Sequence, residues 1–310
     1  LNIRKQRWTI KMKRVISVSL GSSERNHKSS INFLGEEYEL ERIGTDGDTE
    51  KMKEIFTTYD GKVDAFGLGG FDLYLTYRNK KYIFKEAYNV VKVVKKTPVA
   101  DGSGVKRTLE KDAIKNLFDE GIINPSMKVL IPSAAARYYM FEAFKELGFT
   151  VVWGDLAFAL NMASVGIVNP ILIEILATLL LPIVVKLPFK LLYPIGKEEE
   201  EIIPKYENLY NLADIIAGDF HFIRHHMPDN LEGKIIITNT LTKKDIEELR
   251  KRKLKMVITT TPEFNGRSFA TNVIEAFVCA ALGKKAEDIK DSEFREVFKE
   301  LNFKPRIINL

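Results

Sequence analysis

The sequence is poor in the residues that staple, interrupt or anchor a chain. Among 310 residues there is one cysteine, Cys279, which excludes an internal disulfide and a cysteine metal cluster. It lies in the apolar run VIEAFVCAAL, where a buried small hydrophobe is the expected role. Glycine and proline are sparse, at 19 and 11, so collagen-like repeats are excluded and global disorder is not expected. No secretory signal order is present, because Ile3, Trp8 and Ile10 are scattered among charges. A reducing cytoplasm is the expected compartment. A strongly basic body is also missing. The formal charge is +5, but residues 1–14 hold six basic residues and no acid; removing those six from 47 leaves 41 against 42 acidic, a net of −1. A nucleic-acid partner needs a cationic face that releases counterions, so none is expected.

What is present is a globular composition, 45% hydrophobic and 29% charged, in a chain long enough for two domains. Residues 1–12 are expected to be a flexible leader, with order beginning near Lys13. The strand-like runs VISVSL, EYELERIG and VDAFGLGG, with a helix over 49–59, set a βα rhythm, and LYLTYRNKKYIF predicts a hairpin turning near Asn79. Asp101-Gly-Ser-Gly breaks the pattern before a helix over 105–119. The second half opens with VLI, an amphipathic helix over 137–147 and TVVW, followed by strands at ADIIA, KIIIT and KMVITT. Apolar strands alternating with helices predict parallel sheets covered on both faces. The expected fold is therefore α/β in two domains: an N-terminal α/β unit over 13–127 as substrate domain and a Rossmann-type parallel sheet over 128–283. Residues 284–310 are expected as a C-terminal helix returning to the first domain.

A dinucleotide diphosphate would sit on the helix N-terminus after VLI, where backbone N–H groups and the helix dipole favour an anion. Pro132-Ser133-Ala134-Ala135-Ala136-Arg137 occupies that place, without the glycines of G-x-G-x-x-G. Ser133, Ala134, Ala136 and Arg137 are candidate diphosphate contacts, against an equally weighted plain βα crossover. Asp155 ends the next strand, where a carboxylate binds a ribose hydroxyl pair and repels a 2′-phosphate, which favours NAD over NADP. Its alternative is a helix cap. Thr259 and Thr260, at another strand end, are candidates for the nicotinamide pocket or for loop residues bonding their own backbone. Gly67, Gly69 and Gly70 suit a strand-end loop or a hairpin entry. His221, His225 and His226 lack a further ligand cluster and stand beside Arg224, so no metal is expected.

Three passages together resemble the shikimate and quinate 5-dehydrogenases: VADGSGVKRTLE (99–110), KVLIPSAAARYYMFEAFKELG (128–148) and VITTTPEFNGRSFATNVIEAFVCAALGK (257–284). The resemblance implies an NAD-dependent oxidoreductase moving a hydride to or from an alcohol or carbonyl in an interdomain cleft. It implies Asp101 as a catalytic residue. The family's Asn-x-Thr-x-Pro-x-Lys motif is absent, and Lys96, before Thr97-Pro98, is the substitute by position. Asn272 stands within one residue of the family's substrate-binding glutamine. The rival expectation is a non-catalytic or membrane-associated module on the same scaffold, with a reductase of a lipid-linked substrate joining the two.

Residues 156–196 form an apolar insertion that prolines and Glu174 disqualify as a membrane span. A helical pair buried within the chain or across a homodimer contact is the first expectation for it. Attachment of residues 170–196 to a membrane surface follows closely, with Lys186 and Lys190 reaching headgroups, and a channel for an apolar substrate is third.

Overall fold

The computed structural model describes residues 12–78, 80–158, 160–161, 169–192, 201–261, 263–264 and 267–310. Most of the expected leader, the hairpin tip at Asn79, Pro262, the Asn265-Gly266 turn and parts of the 156–196 insertion lie outside the described residues. The fold is α/β in two lobes, each built on its own sheet.

The first lobe runs β1 (Lys13–Ser19), β2 (His27–Phe33), β3 (Glu36–Gly44), α1 (Thr49–Tyr59), β4 (Ala65–Gly69), β5 (Tyr74–Tyr77), β6 (Lys80–Ile83), α2 (Lys85–Val91) and β7 (Val99–Ala100). Its sheet has the order β2-β3-β1-β4-β7, all parallel except β2, with β5 and β6 as a separate hairpin. Alternation along β1 divides its side chains: Ile16 and Val18 enter the core under α1 and α2, and Val15 enters the opposite one. Ser17 and Ser19 share the Val15 side. Helix α1 starts where Asp48 accepts N–H bonds from Glu50 and Lys51, both at 2.9 Å.

The chain leaves β7 through α3 (Ser103–Val105), a π-helical turn (Lys106–Glu110) and α4 (Lys111–Asp119). The second lobe follows: β8 (Lys128–Ile131), α5 (Tyr138–Glu146), β9 (Thr150–Trp153), α6 (Asp155–Phe158), α7 (Pro170–Val184), α8 (Glu207–Leu212), β10 (Ile215–Ala217), α9 (Phe220–His226), β11 (Ile235–Thr238), α10 (Lys243–Lys251) and β12 (Met256–Thr259). The last elements are the β13–β14 hairpin (Glu263–Phe264, Arg267–Ser268), α11 (Thr271–Leu282), α12 (Asp291–Glu300) and β15 (Arg306–Asn309). The second sheet has the order β15-β12-β11-β10-β8-β9, parallel but for β15. Its apolar strands are covered by α5 and α7 on one face and by α8, α9 and α10 on the other.

The chain end departs from the expected division. Helix α11 lies on β1 and β4 of the first sheet, carrying buried Cys279 into that core, while the final strand pairs antiparallel with β12 of the second. Its alternating residues Ile307 and Asn309 had no long apolar run to announce them.

Candidate functional site

Both parallel sheets reverse their strand order once, between β1 and β4 and between β8 and β10, and ligands bind at such switch points beyond the carboxyl ends of strands. The two reversals meet at one cleft of about 140 Å³. The first lobe lines it with Ser17, Ser19, Gly69, Gly70 and Phe71, and the second with Ser133, Arg137, Asp219, His221 and Asn239. The start of α11, Thr271 to Val273, closes one side.

Close packing of α11 on the first sheet depends on two glycines. A Cβ on Gly67 would stand 2.9 Å from Asn272 Nδ2, and one on Gly69 3.1 Å. Without them Asn272 reaches over β4 and donates to Ser17 Oγ at 2.7 Å. The turn at Asp101 is equally determined. Asp101 accepts from the N–H groups of Leu73 and Ser103, each at 3.1 Å, and Gly102 has φ +92° with Thr271 against the place of a Cβ. Beneath it Glu275 accepts from Gly102 N at 2.5 Å and Gly104 N at 2.8 Å. Burial, with Asp101 adding to it, pushes the Glu275 carboxyl up.

The principal cation of the cleft is Lys106, the first residue of the π-helical turn, a feature common at functional sites. It is 6% exposed and pairs with Asp72. Burial pushes the Asp72 carboxyl up, against the opposing pull of Lys106 and Arg137. At the other end of the same turn Glu110 meets Arg137, whose guanidinium spans Glu110 Oε1 and Asp219 Oδ2, both at 2.8 Å. Burial works against ionised Asp219, yet Arg137 and His221 hold it well below the usual carboxylate range. Arg42 donates to Ser22 O and Ser19 Oγ at 3.0 Å, and Arg25 lies 3.3 Å from His221 Nδ1 across the cleft. Burial first, then Arg25, pushes His221 down.

The structure thus brings together Asp101, Ser133, Ala136, Arg137 and Asn272. Five other candidates stand elsewhere. Lys96 is exposed, with its N–H on the Asp60 carboxylate at 3.0 Å and its side chain over Gly61, so it is not the amine beside Asp101. Thr260 bonds back to Thr238 O, and buried Thr259 faces the core. Ala134 is fully buried. Asp155 does not project toward a ribose: its carboxylate accepts from Ala134 N at 2.8 Å and from Ala135 N at 3.2 Å. Burial pushes it up to about 7. The amides expected to hold a diphosphate are therefore occupied by this side chain, and the Arg137 side chain is committed to its two carboxylates. The β8–α5 turn does not fit a dinucleotide diphosphate.

Lys106, Asp72, Asp219, Ser17 and Ser19 were not among the expected residues. Two signals pointed to part of this set: serines two apart on a strand share a face, and Lys106 follows Asp101 within the same DGSGVK segment. Among the described residues no metal-binding group of His, Cys, Asp and Glu converges, and no helix is long and apolar enough to cross a membrane.

The profile of a family described as a domain of unknown function, DUF8754, matches residues 104–310. The chain belongs to this family. A second domain of unknown function, DUF8753, matches residues 14–101, so the junction between the two falls inside the Asp101 turn. No curated protein matches. Among solved structures, a solute-binding protein of an ABC transporter from Burkholderia multivorans is 11% identical, with a TM-score of 0.39 over 90% of this chain and 95% of that one. An NAD-dependent malic enzyme from Thermotoga maritima is 13% identical, with a TM-score of 0.38 over 93% and 84%. GanP, a glucose-galactose binding protein from Geobacillus stearothermophilus, is 9% identical, with a TM-score of 0.37 over 96% and 98%.

Proposed function

We propose that the cleft between the two sheets binds a small, oxygen-rich anionic molecule, and that Lys106 exchanges a proton with one of its oxygens. The observation that carries this reading is the cationic lining. Arg25, Arg42 and Lys106 line the cleft beside Arg137, which is held between Glu110 and Asp219. Each carboxylate of the cleft already accepts: Asp72 from Lys106, Asp219 from Arg137, and Asp101 from two backbone N–H groups. A ligand rich in acceptor oxygens complements such a surface. The volume supports a compact one, since a cavity of about 150 Å³ holds benzene.

Proton transfer on a hydroxyl or carbonyl requires an acid or base within hydrogen-bond reach, and the Lys106 ammonium lines the cleft. Its pairing with Asp72 fixes the ammonium, with Asp101 on the same cleft wall. The test is a thermal-shift screen of small hydroxy and oxo acids against the native chain and Lys106→Met. Stabilisation by one class, lost in the variant, is expected. A native chain indifferent to every such acid would sink the reading.

Hydride transfer with NAD, the activity implied by the resemblance, is the second reading, favoured by Asp101 and Lys106 sharing the cleft. It requires the Asp155 carboxylate to leave the amides of Ala134 and Ala135. NADH fluorescence titration decides between the two, and no binding at millimolar cofactor is expected.

A further inference from the structure

Helix α7 presents apolar side chains on both of its faces. Ile173, Ala177 and Leu181, four residues apart, are buried in the core shared with α5. Two positions earlier, on the opposite side of the helix, Ile171, Ile175, Leu179 and Ile183 are 70%, 49%, 62% and 57% exposed. A helix on the surface of a water-soluble domain turns polar residues outward. This one turns outward a row of four branched aliphatics, with Leu172 beside them. At 15 residues it is about 22 Å long, too short for a bilayer core of about 30 Å, so its outward face can only lie along a surface.

The segments that join at the end of that helix are cationic. Lys186 and Lys190 follow the helix end, and both are exposed, as is Leu191. Helix α2 is joined to the same end, since Lys85 N donates to Val185 O at 3.1 Å and Glu86 accepts from Phe189 N at 2.8 Å. Residues 78–96, which include α2 and the adjoining β6, hold seven basic residues and one acid, and that acid is Glu86. Exposed Ile83 and Tyr88 stand among them.

We infer that α7 docks in the plane of an anionic lipid bilayer, its aliphatic row among the acyl chains and the neighbouring lysines on the headgroups. Charge argues for this occupant, because anionic lipid neutralises the basic residues gathered at the helix end.

The test is co-sedimentation of the full chain with vesicles of phosphatidylglycerol mixed into phosphatidylcholine, and with phosphatidylcholine alone. Binding to the anionic vesicles only is expected. Ile175→Ser with Leu179→Ser, and separately Lys186→Gln with Lys190→Gln, should each weaken it about tenfold or more. All four positions are exposed, and thermal melting verifies that the variants fold. Failure of the folded native chain to bind anionic vesicles overturns the inference. So does a dimer, seen by light scattering, that the serine variant dissolves while vesicles leave the native chain in solution.

Discussion

Lys106 and Asp72 form a buried pair to which the proposed function gives a chemical role beside its structural one. Removing one partner of a buried ion pair leaves the other charge uncompensated, at a cost of about 3–5 kcal/mol. Lys106→Met should therefore lower the urea midpoint, and Lys106→Met with Asp72→Asn should restore most of it. Neither variant should be stabilised by the ligand that stabilises the native chain. Recovery of ligand binding in the double variant would make Lys106 a purely structural residue. Asp155 makes a second residue-scale test. Its folded pKa, about 7, lies above the ordinary aspartate value of 3.8, so the carboxyl favours folding below about pH 4 and that contribution is lost as pH rises to 7. His226, pushed down to about 4 chiefly by burial, runs the opposite way in the same window, as does His221. The readable quantity is thus a difference. The melting temperature of Asp155→Asn minus that of the native chain should climb between pH 4 and 7, and a constant difference would mean that Asp155 is ionised throughout.

At the scale of elements, the joint between α11 and β4 is set by the absence of side chains. Gly69→Ala would press a methyl against Asn272 Nδ2 and Ser19, and overpacking of this kind costs about 1–3 kcal/mol. Chemical denaturation should report that loss, together with weaker ligand stabilisation because Asn272 moves. Gly102→Ala should be worse, since it adds a left-handed φ to a collision with Thr271. The elements themselves were largely legible: the helix over 49–59, the apolar strands of the second sheet and the hairpin at 74–83 all follow from periodicity and turn residues. Their assembly was less so. The G-x-G-G run read equally well as a hairpin entry, because only the packed structure shows α11 lying across it. Asp155 read as a ribose ligand or a cap, and sequence spacing contains no term that separates them.

For the whole molecule, the proposed function depends on two sheets presenting their switch points to one another. Composition and alternation were enough to foresee two α/β lobes. They could not foresee that the cleft lysine would be Lys106 instead of Lys96, because that choice is made where the π-helical turn carries Lys106 to Asp72. Nor could they reveal that an acid would seat itself on the amides of the β8–α5 turn. The path of the backbone has a further result. It passes from lobe to lobe between α4 and β8, returns between β12 and α11, and passes over again between α12 and β15. Neither half is a contiguous stretch of sequence. A fragment holding residues 13–127 alone would expose the greasy side of its sheet that α11 normally shields, and should aggregate. The same fragment carrying residues 271–301 on a flexible tether should stay monomeric and fold by circular dichroism. One face of the first sheet is consequently sealed by a tail encoded far downstream.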